Sequence, residues 1–123
     1  IAVSNYLSNH PKIEKVFFPG NDKRHKEIAE KQMDGFGGMM SFVIDSDING
    51  VKTFLKNLNL FTLAASLGGV ESLIEHPAIM THASIDPSIR EKLGISETLL
   101  RISVGIEDVD DLISDLDQAL SKI

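Results

Sequence analysis

Residues 98–123 carry two hydrophobic periods in immediate succession, and few folds accept that pattern. In TLLRISVG (98–105) the side chains alternate as in a strand. Leu100, Ile102 and Val104 share one face, and Leu99, Arg101 and Ser103 share the other. From residue 107 the period becomes helical, with Val109, Leu112, Ile113, Leu116, Leu120 and Ile123 on one stripe. A half-apolar strand and a one-sided helix each need a covering layer, so the chain must stack helices on a sheet. Glu107, Asp108, Asp110 and Asp111 stand at the positive N-terminal end of this helix and Lys122 at its negative end. The acidic cluster 107–117 lacks the spacing and glycine of a calcium loop and reads as a solvated helix face.

Upstream, residues 1–9 read as a helix closed by Asn9-His10-Pro11, and 12–20 as a short strand ended by a Pro-Gly turn. Residues 22–33 form a polar surface helix capped by Asn21 or Asp22. A buried strand at 39–44 follows the GFGG breaker, and 47–58 is a helix with Val51, Phe54, Leu55 and Leu58 inward. Residues 60–66 read as a strand and 71–85 as irregular, interrupted by Pro77. Residues 86–94 form a short helix with Asp86 as N-cap, Pro87 at its first position and Gly94 at its C-cap. This order predicts an α+β fold, with helices packed on a roughly four-stranded, mainly antiparallel sheet. The apolar stripe Ala2, Val3, Tyr6, Leu7 begins without a cap at Ile1, which leads us to expect a fragment of a longer protein.

Composition narrows the function classes. The 123 residues fit one domain, and a net charge of −6 argues against a nucleic-acid partner. With no cysteine there is neither a disulfide framework nor thiolate chemistry. No apolar stretch is long enough to cross a bilayer, and the opening residues show no signal-peptide pattern. The expectation is a cytoplasmic chain that engages neither membrane nor nucleic acid.

Candidate chemistry is sparse. His10, His25, His76 and His82 are available to a Ser-His-Asp triad, but no serine lies in a G-x-S-x-G elbow. His76 and His82, six apart, lack metal-ligand spacing and read as loop residues, so no metal is expected. SLGGVES (66–72) is more informative. Gly68 and Gly69 permit close backbone approach and Ser66 offers a hydroxyl, although a plain turn needs the same residues. Arg101 is a permanent cation on a rigid strand, which could hold an anion, but on the strand alone the solvated reading is favoured because most arginines are exposed.

Two long motifs add a resemblance. SLGGVESLIEHPAIMTHASI (66–85) and GISETLLRISVGIEDVDDLISDLDQAL (94–120) closely resemble the C-terminal domain of the pyridoxal-phosphate enzymes of cysteine and methionine metabolism. HPKIEKVFFPG (10–20) and GFGGMMSF (35–42) extend the similarity over essentially the whole chain. That family includes cystathionine γ-lyase, cystathionine γ-synthase and methionine γ-lyase. The resemblance implies the small C-terminal domain of a fold-type I enzyme over residues 1–123, with Ser66 and Arg101 holding the substrate's α-carboxylate. It implies pyridoxal 5'-phosphate as cofactor, joined to a lysine in an S-x-T-K-like segment of an N-terminal domain. None of the nine lysines here has that context, so this chain alone is expected to be inactive and to bind no cofactor. Family members acting on cystathionine often carry glutamate where this chain has Ala65, which marks position 65 for substrate choice. Thr81 and His82 are candidates for the substrate entrance, and Glu71 is expected to order its turn. The implied parent is a cytosolic homotetramer with carbon–sulfur lyase activity on cystathionine or homocysteine. A γ-synthase or methionine γ-lyase domain is the near alternative, and a non-catalytic α+β module binding a small molecule or partner the distant one.

Overall fold

A computed structural model describes residues 1–22 and 24–123. Five helices and five strands alternate along the chain: α1 (Ala2–Asn9), β1 (Ile13–Phe17), α2 (Lys26–Gln32), β2 (Met39–Ile44), α3 (Ile48–Asn57), β3 (Thr62–Leu63), β4 (Leu73–Glu75), α4 (Pro87–Lys92), β5 (Leu99–Ser103) and α5 (Val109–Leu120). The strands form one sheet in the order β1-β2-β5-β4-β3. All neighbours are antiparallel except β3 and β4, which run parallel. The fold is therefore α+β, as the alternating periods require, with one strand more than the sequence predicts.

The extra strand is β4, which lies inside the segment read as irregular. All three of its residues are buried. A strand covered on both faces shows no alternation, so periodicity cannot reveal it. The strand expected at 60–66 shrinks to the two exposed residues of β3, which sits at the sheet edge and pairs only with β4.

The core lies between one sheet face and three helices. Val3 and Leu7 of α1, Val51 and Phe54 of α3, and Leu112, Leu116 and Leu120 of α5 close over Met40, Phe42, Ile44, Ile74, Leu100 and Ile102. Phe42 and Phe54 meet edge to face, 6.2 Å between centroids. The helix α2 buries nothing, as its polar sequence implies. Asp22 does not cap it. Its carboxylate instead holds the preceding turn, accepting from the Arg24 N–H at 2.9 Å. Lys23, which the sequence placed in that helix, lies outside the described residues.

Asp86 caps its helix as expected, and Asp47 and Asp108 cap α3 and α5. Asp47 accepts from the N–H groups of Asn49 and Gly50, Asp86 from Ser88, and Asp108 from Asp110 and Asp111. At the far end of α5 the cation that meets the last carbonyls is Lys12, whose Nζ donates to Leu120 O at 2.9 Å and to Ile123 O. The acidic face of α5 is not uniformly solvated. Asp115 is 5% exposed and accepts from the N–H groups of Asn59 and Leu60 at 2.8 Å, and from Phe61 at 3.3 Å. It ties the turn after α3 to α5.

Candidate functional site

The sheet face turned away from the three helices carries Arg101. Leu99 and Ser103 share this face and are buried, so it is not the solvated surface that an amphipathic strand predicts. Its cover is the segment from β3 to β4. Gly68 N–H donates to the Ser103 hydroxyl at 2.8 Å, and Ile106 N–H donates to Val70 O at 3.0 Å. Gly68 has φ +78°, a left-handed conformation that glycine adopts without strain. A Cβ on Gly105 would lie 2.3 Å from Val70 O, so only glycine lets the two segments approach this closely.

The turn is ordered by Glu107, not by the exposed Glu71. Both carboxylate oxygens of Glu107 are engaged, Oε1 by the Ser72 N–H at 2.6 Å and Oε2 by the Ser72 hydroxyl at 2.8 Å. The same hydroxyl accepts from Gly105 N–H at 2.9 Å. Burial alone would raise the pKa of Glu107. The hydrogen bonds from the Ser72 N–H, from its own N–H and from the Ser72 hydroxyl outweigh burial and bring it below the ordinary value.

This fastening brings Ser66 against Arg101. The guanidinium Nη2 lies 3.3 Å from the Ser66 carbonyl oxygen, across 35 residues of sequence. Arg101 also meets Glu75, its antiparallel cross-strand partner on β4, with Nη2 at 2.6 Å from Oε2. The Glu75 side chain is 1% exposed and that of Arg101 26%. The contact is an ion pair off the line of an N–H bond, so neither carboxylate oxygen accepts a well-directed hydrogen bond. Ala65, Ser66 and Leu67 are all exposed beside this pair.

The other predicted residues sit in the turn that follows β4. Thr81 Oγ1 lies 2.8 Å from His82 Nδ1. The turn is strapped to α4 by Arg90, whose Nη1 donates to Ala78 O and His82 O. His76, read as a loop residue, is fully buried. Its Nε2 meets Glu97 O at 2.8 Å, and burial keeps its pKa below the ordinary value. Among the described residues no three or more His, Asp or Glu side chains are grouped to hold a metal. No helix among them is long and apolar enough to cross a membrane.

Glu75 is the residue that sequence reasoning missed. The signal was present: LIEH, like LLRIS, places one charge within an apolar run, and the two charges are opposite.

These features define a class, an α+β domain with a charged pair on the sheet face its helices leave free, and solved structures share its architecture. Cystathionine γ-synthase from Xanthomonas oryzae pv. oryzae in complex with cystathionine superposes with a TM-score of 0.92 at 46% identity, covering 98% of this chain and 32% of that one. The chain belongs to the Cys/Met metabolism pyridoxal-phosphate-dependent enzymes, whose family model matches residues 1–121. It is 54% identical to cystathionine γ-lyase of Dictyostelium discoideum over 123 residues, which is 98% of this chain and 32% of that protein. It is 52% identical to cystathionine β-lyase of Lactococcus lactis subsp. cremoris over 121 residues, 98% of this chain and 32% of that protein. The chain thus spans about a third of the length of these curated relatives.

The family's cofactor is pyridoxal phosphate. The residues gathered here do not fit that group. There is no lysine in 62–75 or 99–105 to hold it covalently.

Proposed function

We propose that this chain is the C-terminal, substrate-carboxylate-binding domain of a pyridoxal-phosphate-dependent carbon–sulfur lyase acting on cystathionine or homocysteine. The observation that carries the proposal is the approach of the Ser66 segment to Arg101 on the sheet face that the helices leave free. A guanidinium on a strand is a stiff anchor. It can present paired N–H donors to a carboxylate and so fix orientation as well as position. When bound, pyridoxal phosphate supplies the electron sink for charge developing at the substrate's Cα. The work of this chain would be to hold the acid end of the substrate still, so that the reacting bond keeps one orientation.

In this reading the cofactor and its lysine reside in an N-terminal domain, the assembly is a cytosolic homotetramer, and the 123-residue chain by itself is inactive. Ala65, exposed next to Ser66, is the position that tunes substrate choice, and Thr81 and His82 border the entrance. The likeness to a cystathionine γ-synthase structure supports replacement chemistry as the second reading.

The test is Arg101→Lys in the pyridoxal-phosphate-loaded enzyme, assayed with cystathionine, homocysteine, methionine and O-succinylhomoserine. A lysine keeps the charge but loses the fork. KM for the preferred substrate should rise about 10- to 100-fold, the equivalent of one charged hydrogen bond at about 1.5–3 kcal/mol. An unchanged KM overturns the assignment. Ala65→Glu should shift preference among the four substrates, and an unmoved preference removes position 65 from the specificity set.

A further inference from the structure

The opposite charges of β4 and β5 raise a question that the carboxylate-anchor reading leaves open. Glu75 is 1% exposed, deeper than almost any carboxylate without a strong reason. Taking such a charge out of water costs several kcal/mol, and an isosteric apolar pair at the same two positions would serve stability as well or better. The fold does not need this pair to hold the strands, since β4 and β5 already share the ladder Leu73↔Ser103, Ile74↔Ile102 and Glu75↔Arg101.

The geometry shows what the carboxylate does to its partner. Arginine is a long side chain that gives up much rotamer entropy when fixed. Here the guanidinium is held from within the fold at one nitrogen, Nη2, by Glu75 Oε2 at 2.6 Å and by Ser66 O at 3.3 Å. Those two oxygens approach from β4 and from the loop after β3, so rotation of the head group breaks one contact or the other. Among the described residues Nε and Nη1 make no hydrogen bond, and the side chain is 26% exposed.

We propose that Glu75 is a positioning residue for Arg101. It fixes the guanidinium before substrate arrives, so that the donors it leaves unpaired are already in place for a carboxylate. The proposal rests on the reading of Arg101 as the carboxylate anchor. Glu75 contacts no substrate itself. Its effect is to remove the ordering cost from the binding step.

Glu75→Gln in the loaded enzyme isolates the charge, because the side chain keeps its length and shape. KM for the amino-acid substrate should rise about tenfold with kcat within about twofold, the share expected for loss of one charge-assisted contact. The Kd of propionate, a ligand that presents only the carboxylate and can be followed by calorimetry, should rise in parallel. Glu75→Asp, which keeps the charge on a shorter arm, should recover part of both losses. A lower thermal midpoint with KM and propionate affinity unchanged would make Glu75 structural only and overturn the proposal. A fall in KM would overturn it too, since Glu75 would then be competing with substrate for the guanidinium. Arg101→Lys separates the two layers. If it raises KM while Glu75→Gln does not, the anchor stands and the positioning role fails; if Arg101→Lys leaves KM unchanged, the anchor itself fails. Should Arg101→Lys fold poorly above the buried carboxylate, the double variant Glu75→Gln with Arg101→Met removes both charges and restores a foldable reference.

Discussion

On one face of the sheet, three helices bury Phe42, Phe54, Leu100, Ile102, Leu116 and Leu120 to 0% exposure. On the other, Arg101 and Glu75 lie under a loop in which Leu67 is 56% exposed and Val70 is 71% exposed. The first face is closed by apolar area, and any side chain of suitable volume and period can contribute. The second is closed by a few directed polar contacts that only certain residues can make: Glu107 to Ser72, Ser103 to Gly68, Arg101 to Ser66. Two kinds of closure are thereby separated across one sheet. The helix side carries the hydrophobic energy, and the opposite side holds its polar groups in defined places with apolar surface still uncovered around them.

The most direct way to break this contrast is Phe54→Ala. Phe54 is fully buried against Phe42, so truncation removes a large apolar side chain and leaves a cavity. We expect a loss of about 3–5 kcal/mol in urea-induced unfolding. A loss below about 1 kcal/mol would mean that the helix face is loosely packed and that the two faces do not divide the work as described.

The contrast also explains what could be read without coordinates. Val109, Leu112, Leu116 and Leu120 repeat with the helical period, and Leu100 and Ile102 with the strand period, so the helix-covered core was legible. The open face depends on partners far apart in sequence, such as Ser72 and Glu107 at a separation of 35 residues, and no local period encodes that. Glu107 and Asp115 were hidden by their company. Each belongs to an acidic run whose other members face water, so composition assigned them to a solvated surface. Ser66 and Arg101 emerged only through a resemblance to a family, since by period and spacing alone a solvated arginine and a plain turn were the better readings. β4 went unread because burial on both faces erases alternation, and because Glu75, His76 and Pro77 look like a loop.

Asp115 sharpens the comparison from the helix side, since it is a directed polar contact within the closed layer. Burial pushes its pKa up, but the N–H groups of Leu60, Asn59 and Phe61 and the Asn59 side chain outweigh that and hold it below the ordinary 3.8. A carboxylate with a depressed folded pKa contributes stability that is complete above its unfolded value and is lost as pH falls through the folded value. Asp115→Ala should cost about 1–3 kcal/mol at neutral pH, because three backbone donors lose their acceptor in a buried place. The gap between wild type and variant should narrow as pH drops below 3.8. A gap that stays constant through that range would show that the shape of Asp115, not its charge, holds the turn.

The smallest expected effect comes from the open face itself. Val70 is 71% exposed, and its structural duty is carried by its carbonyl, which accepts from Ile106 N–H at 3.0 Å. Val70→Ser keeps that carbonyl and gives up little buried area, so the unfolding free energy of the 123-residue chain should move by no more than about 0.5 kcal/mol in either direction. The identical change on the helix face, at Val51 with 0% exposure, would remove a fully buried side chain and place a hydroxyl among apolar neighbours. A loss above about 1 kcal/mol at Val70 would mean that its side chain is covered within this chain in solution, and the loop over Arg101 would then be an apolar lid as well as a hydrogen-bonded one. A null effect leaves the carbonyl and the glycines as the elements that fasten the loop, which is the condition under which Ser66 can be held at Arg101 without closing the guanidinium off from a ligand.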